Sequence, residues 1–186
     1  MKKTLLLFLV FLFSLRIVYG ETFYIDDAAV PLSVSFSNGT DTLHQDMETV
    51  PIGLEKRGFT FDDARKMLHE GKASIVNFDF ERSEYIAITI DREIKDDEYY
   101  FIANIQDYMS DIEPLDNLSI VTSRIGYFAR RYIRVSSLNR YQVLYAKRLN
   151  KEELLLINCV KLDSKIDEES ISHFDNIVGT INFANH

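Results

Sequence analysis

Catalytic signatures are missing from this chain, and so is a disulfide framework. It has no His-Glu-x-x-His, no Cys-x-x-Cys, no calcium-loop pattern, no glycine-rich phosphate loop and no Gly-x-Ser-x-Gly. Those spacings are what bring metal ligands, phosphate-binding amides or an exposed nucleophile together. The lone cysteine, Cys159, excludes an internal disulfide, and its setting in the apolar run 154–160 marks a buried structural thiol. With only three prolines and seven glycines, the chain shows no long linker, low-complexity tract or internal repeat. Positive charge is also scarce: 21 basic residues face 29 acidic ones, a net of −8, against the balance of a general nucleic-acid binder. No cofactor is implied.

What is present starts with a leader. Lys2 and Lys3 precede an apolar stretch from Leu5 to Leu15, and Val18 and Gly20 occupy positions −3 and −1 of a cleavage site. This layout predicts a signal peptide over residues 1–20 and export, to the periplasm or the exterior in a bacterial host. The apolar run is shorter than the roughly 20 residues that span a bilayer, so no membrane span is expected after cleavage. Losing Lys2, Lys3 and Arg16 leaves 18 basic residues and a net charge of −11 over 21–186, a length suited to one domain. Asn38-Gly-Thr and Asn117-Leu-Ser match the glycosylation pattern, which matters only in a eukaryotic secretory host.

Periodicity then sets out the elements. Two short strands are expected between Phe23 and Phe36, followed by an irregular connection over 40–58. Phe59 to Gly71 reads as a helix. Thr60 and Asp63 form its capping box, Phe59 and Ala64 its hydrophobic staple, and Gly71 its left-handed exit. Strands are expected at 73–80 and 85–90, joined by a charged turn at 81–84, and then a helix from about Asp97 to Ile112. A meander of strands near 119–125, 127–136, 140–149 and 153–162 leads to a closing helix at 167–178. Ile171, Phe174, Ile177 and Val178 are its apolar stripe, with His173 and Asp175 toward solvent. The class is α+β, an antiparallel sheet covered by helices.

This order of elements resembles the PsbP/Mog1-like α/β/α sandwich group. The likeness is carried by Tyr141 to Leu149, Leu154 to Leu162 and the tail from Ser172 to Phe183, which are mostly packing positions. It implies that group's sandwich arrangement and an accessory, chaperone-like or binding role, and it brings no catalytic residue with it.

Charge is patterned within the meander. From Asn117 to Lys151 there is no acidic residue, but there are eight basic ones. Period-two alternation groups Arg130, Tyr132 and Arg134, and a turn through 137–139 would bring Arg140 and Gln142 beside them. Such a surface suits a small anionic ligand or an acidic protein segment, and nucleic acid less well. Glu169 and His173, four apart, are expected to form a surface ion pair rather than half of a metal site. The acidic doublets at 26–27, 62–63, 96–97 and 168–169 read as helix-start and solubility features. The functional expectation is an exported non-enzymatic binding or accessory protein. The alternatives are a small secreted hydrolase using dispersed acidic residues or His173, and a structural or oligomerisation module. The exported chain should begin at Glu21 when its intact mass is measured, and retention of Met1–Gly20 would overturn the leader assignment.

Overall fold

The computed structural model describes residues 20–184, so the leader expected over 1–20 lies, except for Gly20, outside the described residues. Two antiparallel sheets stack face to face. The smaller has the order β1-β2-β11, from Glu21–Ile25, Leu32–Phe36 and Asn182–Phe183. The larger is eight-stranded, with the order β3-β4-β5-β10-β9-β8-β6 and β7 on β8. Its strands are β3 (Asp41–His44), β4 (Ile75–Asp79), β5 (Glu84–Asp91), β6 (Ile112–Pro114), β7 (Ser119–Ser123), β8 (Gly126–Val135), β9 (Arg140–Arg148) and β10 (Leu154–Lys161). The helices are α1 (Ile52–Glu55), α2 (Phe61–Glu70), α3 (Glu98–Ala103), α4 (Ile105–Tyr108) and α5 (Glu168–Thr180). This is an α+β fold. Among the described residues no helix is long and apolar enough to cross a membrane.

The register of the large sheet decides what each face meets. Ile88 stands opposite Ile157, which stands opposite Tyr145, while Ile86 and Val143 flank Cys159. Directly opposed residues share a face. That face packs against the small sheet (Ile25, Leu32, Val34, Phe36) and against Phe174, Ile177 and Val178 of α5. The opposite face is covered in two separate places. Leu54 of α1 and Ala64 and Leu68 of α2 lie over Leu43, Val76 and Phe78. Phe101, Ile102 and Ile105 of α3 and α4 lie over Ala129, Ile133, Leu144 and Ala146.

Capping chemistry fixes the helix ends. Thr60 Oγ1 accepts from the Asp63 amide, and the Asp63 carboxylate accepts from the Thr60 amide, the reciprocal box expected from sequence. Gly71, however, has φ −76 and continues the helix; Lys72 takes the left-handed position at φ 48. The amides of Lys72 and Ala73 then donate to the carbonyls of His69 and Leu68, a Schellman closure shifted by one residue. The shift brings Ala73 and Leu68 into one apolar cluster, and that contact offsets the cost of a side chain at positive φ.

Two further expectations change. The connection over 40–58 contains β3 and α1, because Leu43 and Leu54 are both fully buried beside β4. The helix expected from 97 to 112 breaks at Asn104 into α3 and α4, and Ile112 begins β6 instead, where it pairs with Val135. Ile112 is buried in either case, so its apolar character fitted both periods.

Helix α5 docks as expected along Phe174, Ile177 and Val178, but its flanks are not free. Asp175 accepts from Tyr145 Oη at 2.7 Å and from Arg130 Nη1 at 2.7 Å. His173 Nδ1 lies 2.8 Å from Glu84 Oε2, a carboxylate 2% exposed. Both residues were expected to face solvent; each instead bonds a group on the sheet. Phe174 is fully buried, and Phe174→Ala should cost about 3–5 kcal/mol through lost apolar transfer and an incompletely collapsed cavity. Asp175→Ala should also be felt, by about 1–3 kcal/mol, because it strands the Tyr145 hydroxyl and Arg130. Urea unfolding of the two variants measures both effects, and a Phe174→Ala change below about 1 kcal/mol would reject the docking of α5 through Phe174.

Candidate functional site

The basic interval of the meander is largely spent inside the molecule. Arg130 bonds Asp175 and, through Nε, Ser119 Oγ at 2.9 Å. Arg131 donates to the carbonyls of Ile102 and Ala103, closing the C-terminal end of α3. Arg134 reaches Asn139 Oδ1 at 2.9 Å and Glu113 at 3.5 Å. Arg148 donates to the carbonyls of Ile94 and Asp96, and Lys147 to that of Tyr127. The carboxylates of Asp175 and Glu113 and the carbonyls of Ile94, Asp96, Ile102 and Ala103 come from outside the interval, while Ser119, Tyr127 and Asn139 lie within it. A run without acidic residues therefore became a set of tethers to other segments.

The five residues grouped from sequence fall on two faces. The turn spans Ser136 to Asn139, closed by the Asn139 amide on the Ser136 carbonyl, with Asn139 at φ 48. Four loop residues, rather than the expected three, put Arg140 opposite Val135 and Gln142 opposite Ile133. Arg130, Tyr132 and Arg134 stand opposite Tyr145, Val143 and Tyr141, on the α5 side. A one-residue change in loop length moves every following side chain to the other face. Tyr132 lies beside Tyr141 with ring centroids 6.1 Å apart. Arg140 and Gln142 belong to the face that carries α1 to α4.

On that face the two helix groups leave a strip uncovered. Strand β5 has β4 and β10 on either side, and its Glu84, Ile86, Ile88 and Ile90 are buried, while Tyr85, Ala87 and Thr89 are only half-buried. A central strand normally buries both faces when helices cover both. Here the strip opens into a groove of about 460 Å³. Val76, Ala87 and Asn158 lie in one row across its floor. Met67, Gly71 and Ala73 form the wall at the end of α2, and Tyr85, Arg140 and Leu162 form the other end. By strand spacing the floor measures about 10 Å from β4 to β10 and about 13 Å from Tyr85 to Thr89.

The electrostatics of the groove are simple. None of its lining residues is acidic, and Arg140 is the cation among them. Arg92, Arg130 and Arg134 each have a carboxylate partner, whereas Arg140, among the described residues, has none. Burial pushes the Tyr85 phenol up, and the adjacent Arg140 guanidinium pulls against that shift. Asn158 Oδ1 is buried without a hydrogen-bond partner, a cost the fold carries at the groove floor.

Other groups singled out from sequence have structural partners. Glu169 pairs with Arg82 at 2.9 Å, not with His173. Cys159 is fully buried; burial first, then the nearby Glu84 and Asp175 carboxylates, push its thiol well up, which opposes the thiolate a nucleophile needs. Asp63 and Asp97 cap helices, and Asp27 accepts from Ser74 Oγ at 2.9 Å. Among the described residues no group of three or more His, Cys, Asp or Glu is arranged to hold a metal ion. Sequence reasoning missed Glu84, assigned to a charged turn, although its even spacing from Ile86, Ile88 and Ile90 puts it on the core face. Tyr85 and Asn158 gave no signal beyond being polar positions within apolar strands.

No protein-family model matches the chain, and no curated protein matches it.

The Tyr85 phenol supplies a pH test. In the fold it holds its proton beyond the pH of about 10 at which an unfolded tyrosine releases it. Above that pH the unfolded state binds fewer protons, so this residue's contribution to stability falls as pH rises. Arg140→Gln removes the group that favours the phenolate and should move the Tyr85 titration higher still. Ring-labelled tyrosine NMR, assigned with Tyr85→Phe, measures the direction; a downward or absent shift would separate Arg140 from the phenol.

Proposed function

We propose that the protein acts after export as a non-enzymatic binding or accessory protein, with the groove across β4, β5 and β10 as its recognition region. The observation carrying this reading is the open strip on β5, a central strand whose other face is fully buried. Leaving Ala87, Thr89 and part of Tyr85 in contact with water forgoes apolar burial of about 25 cal/mol per Å². Concave, mostly apolar sites with a few polar groups are what small ligands occupy, and about 460 Å³ falls within their usual size. The accessory role implied by the resemblance to the PsbP/Mog1-like group points the same way. Hydrolysis is less well supported, since His173 Nε2, the ring nitrogen left free by the bond to Glu84, is buried without a nucleophile or other partner, and Lys161 is held by Asp167 and Ser170.

Anilinonaphthalene sulfonate, an anion with an apolar body, is a suitable probe. It should bind the folded protein saturably at one site per chain, and Ala87→Phe, which fills the floor, should remove that site without lowering the thermal transition. Weak, non-saturating fluorescence unaffected by Ala87→Phe would sink the groove as a binding region.

A further inference from the structure

From the groove's polarity we infer its ligand class: a small aliphatic monocarboxylate, with its carboxylate at Arg140 and Tyr85 and its hydrocarbon chain over Ala87 and Val76 toward Met67. This rests on the groove being a binding region and adds what it selects.

Three observations carry the choice. Positive charge stands at one end only, where the unpaired Arg140 guanidinium lies beside the Tyr85 phenol, and no carboxylate lines the groove to compete with a bound anion. A guanidinium and a hydroxyl supply donors matched to the two oxygens of one carboxylate. Apart from Thr89 and Asn158, the rest of the floor and wall is apolar, and it is narrow, about two strand spacings across, which suits an unbranched chain. Asn158 is the one amide in the floor, and its Oδ1 is shielded from solvent, so it presents no acceptor to the chain.

The same observations disfavour the other anions. An acidic protein segment brings several carboxylates to a site with one cation, on a chain whose net charge is already −8. An inorganic phosphate would leave the apolar floor empty and meet one guanidinium where two or more charge-assisted donors are usual. A monocarboxylate with an apolar tail uses both ends of the groove.

Isothermal titration of the purified protein with decanoate, decanol and a short poly-aspartate peptide separates these cases, at concentrations below micelle formation. Decanoate should bind at one site per chain, about tenfold or more tighter than decanol. Arg140→Gln should remove that preference and leave decanol binding unchanged; because Arg140 is exposed, this variant keeps the fold. Ala87→Phe should abolish both, with Ala87→Leu as the milder filling variant should the phenylalanine prevent folding. Equal affinity for decanoate and decanol, indifferent to Arg140→Gln, would overturn the carboxylate clasp while leaving an apolar groove. Binding of the aspartate peptide in preference to decanoate would overturn the ligand class. Failure of decanoate where anilinonaphthalene sulfonate still binds and is blocked by Ala87→Phe would do the same. Failure of both probes would instead remove the groove as a site.

Discussion

The contact between the core face of β5, β10 and β9 and the layer formed by α5 and the small sheet is the constraint on which the rest of the molecule depends. Ile86, Ile88, Ile157, Cys159, Val143 and Tyr145 meet Phe36, Val34 and Phe174 there, all buried to within a few per cent. No other surface of the large sheet is covered along the whole width of its central strands. Because this face alone supplies a continuous core, the opposite face is free to be covered in patches. The groove exists where the two patches fail to meet.

Charge reinforces that docking rather than decorating the surface. Along α5, Asp167, Glu169, His173 and Asp175 each reach a sheet or turn residue of complementary character: Lys161, Arg82, Glu84 and Arg130. The exposed members add little stability in water, but pairs such as Arg130 with Asp175 are largely shielded and directional. They fix the rotation of the helix on an apolar surface that would tolerate several rotations. Asp167, at the N-cap, is held well below the usual carboxylate range by Lys161, then by the amide and hydroxyl of Ser170. Protonating it in acid would release both ends of that arrangement together.

The sequence carried the elements better than their surroundings. Alternation placed β4, β5 and the meander to within a residue or two, and the closing helix was legible because its apolar residues recur at three and four. Shape was misread where one residue satisfies two periods, as Ile112 does, and where a buried leucine hides in a polar stretch, as Leu43 and Leu54 do. The candidate site was half legible. Arg140 was named, but with the wrong neighbours, because loop length sets strand parity and Ser136, read as the end of a strand, opens the turn instead. The partners of Arg130 and Arg131 were invisible for a different reason. Their acceptors, Asp175 and the carbonyls of Ile102 and Ala103, lie 45 and 28–29 residues away, and composition says nothing about which distant segment comes close.

The pairing of β11 with β2 gives this chain a late-closing topology. Ser33 and Asn182 sit side by side although 149 residues separate them, and α5, which runs directly into β11, packs into the same core. Contacts of such long range have to meet the entropy of loop closure before they return any stability. Strands β1 and β2 lie far upstream of the helix that completes their layer over the large sheet. Without that C-terminal segment the polypeptide lacks the α5 side of its principal core. A chain of this topology stays pliable until residues 168–183 reach the small sheet.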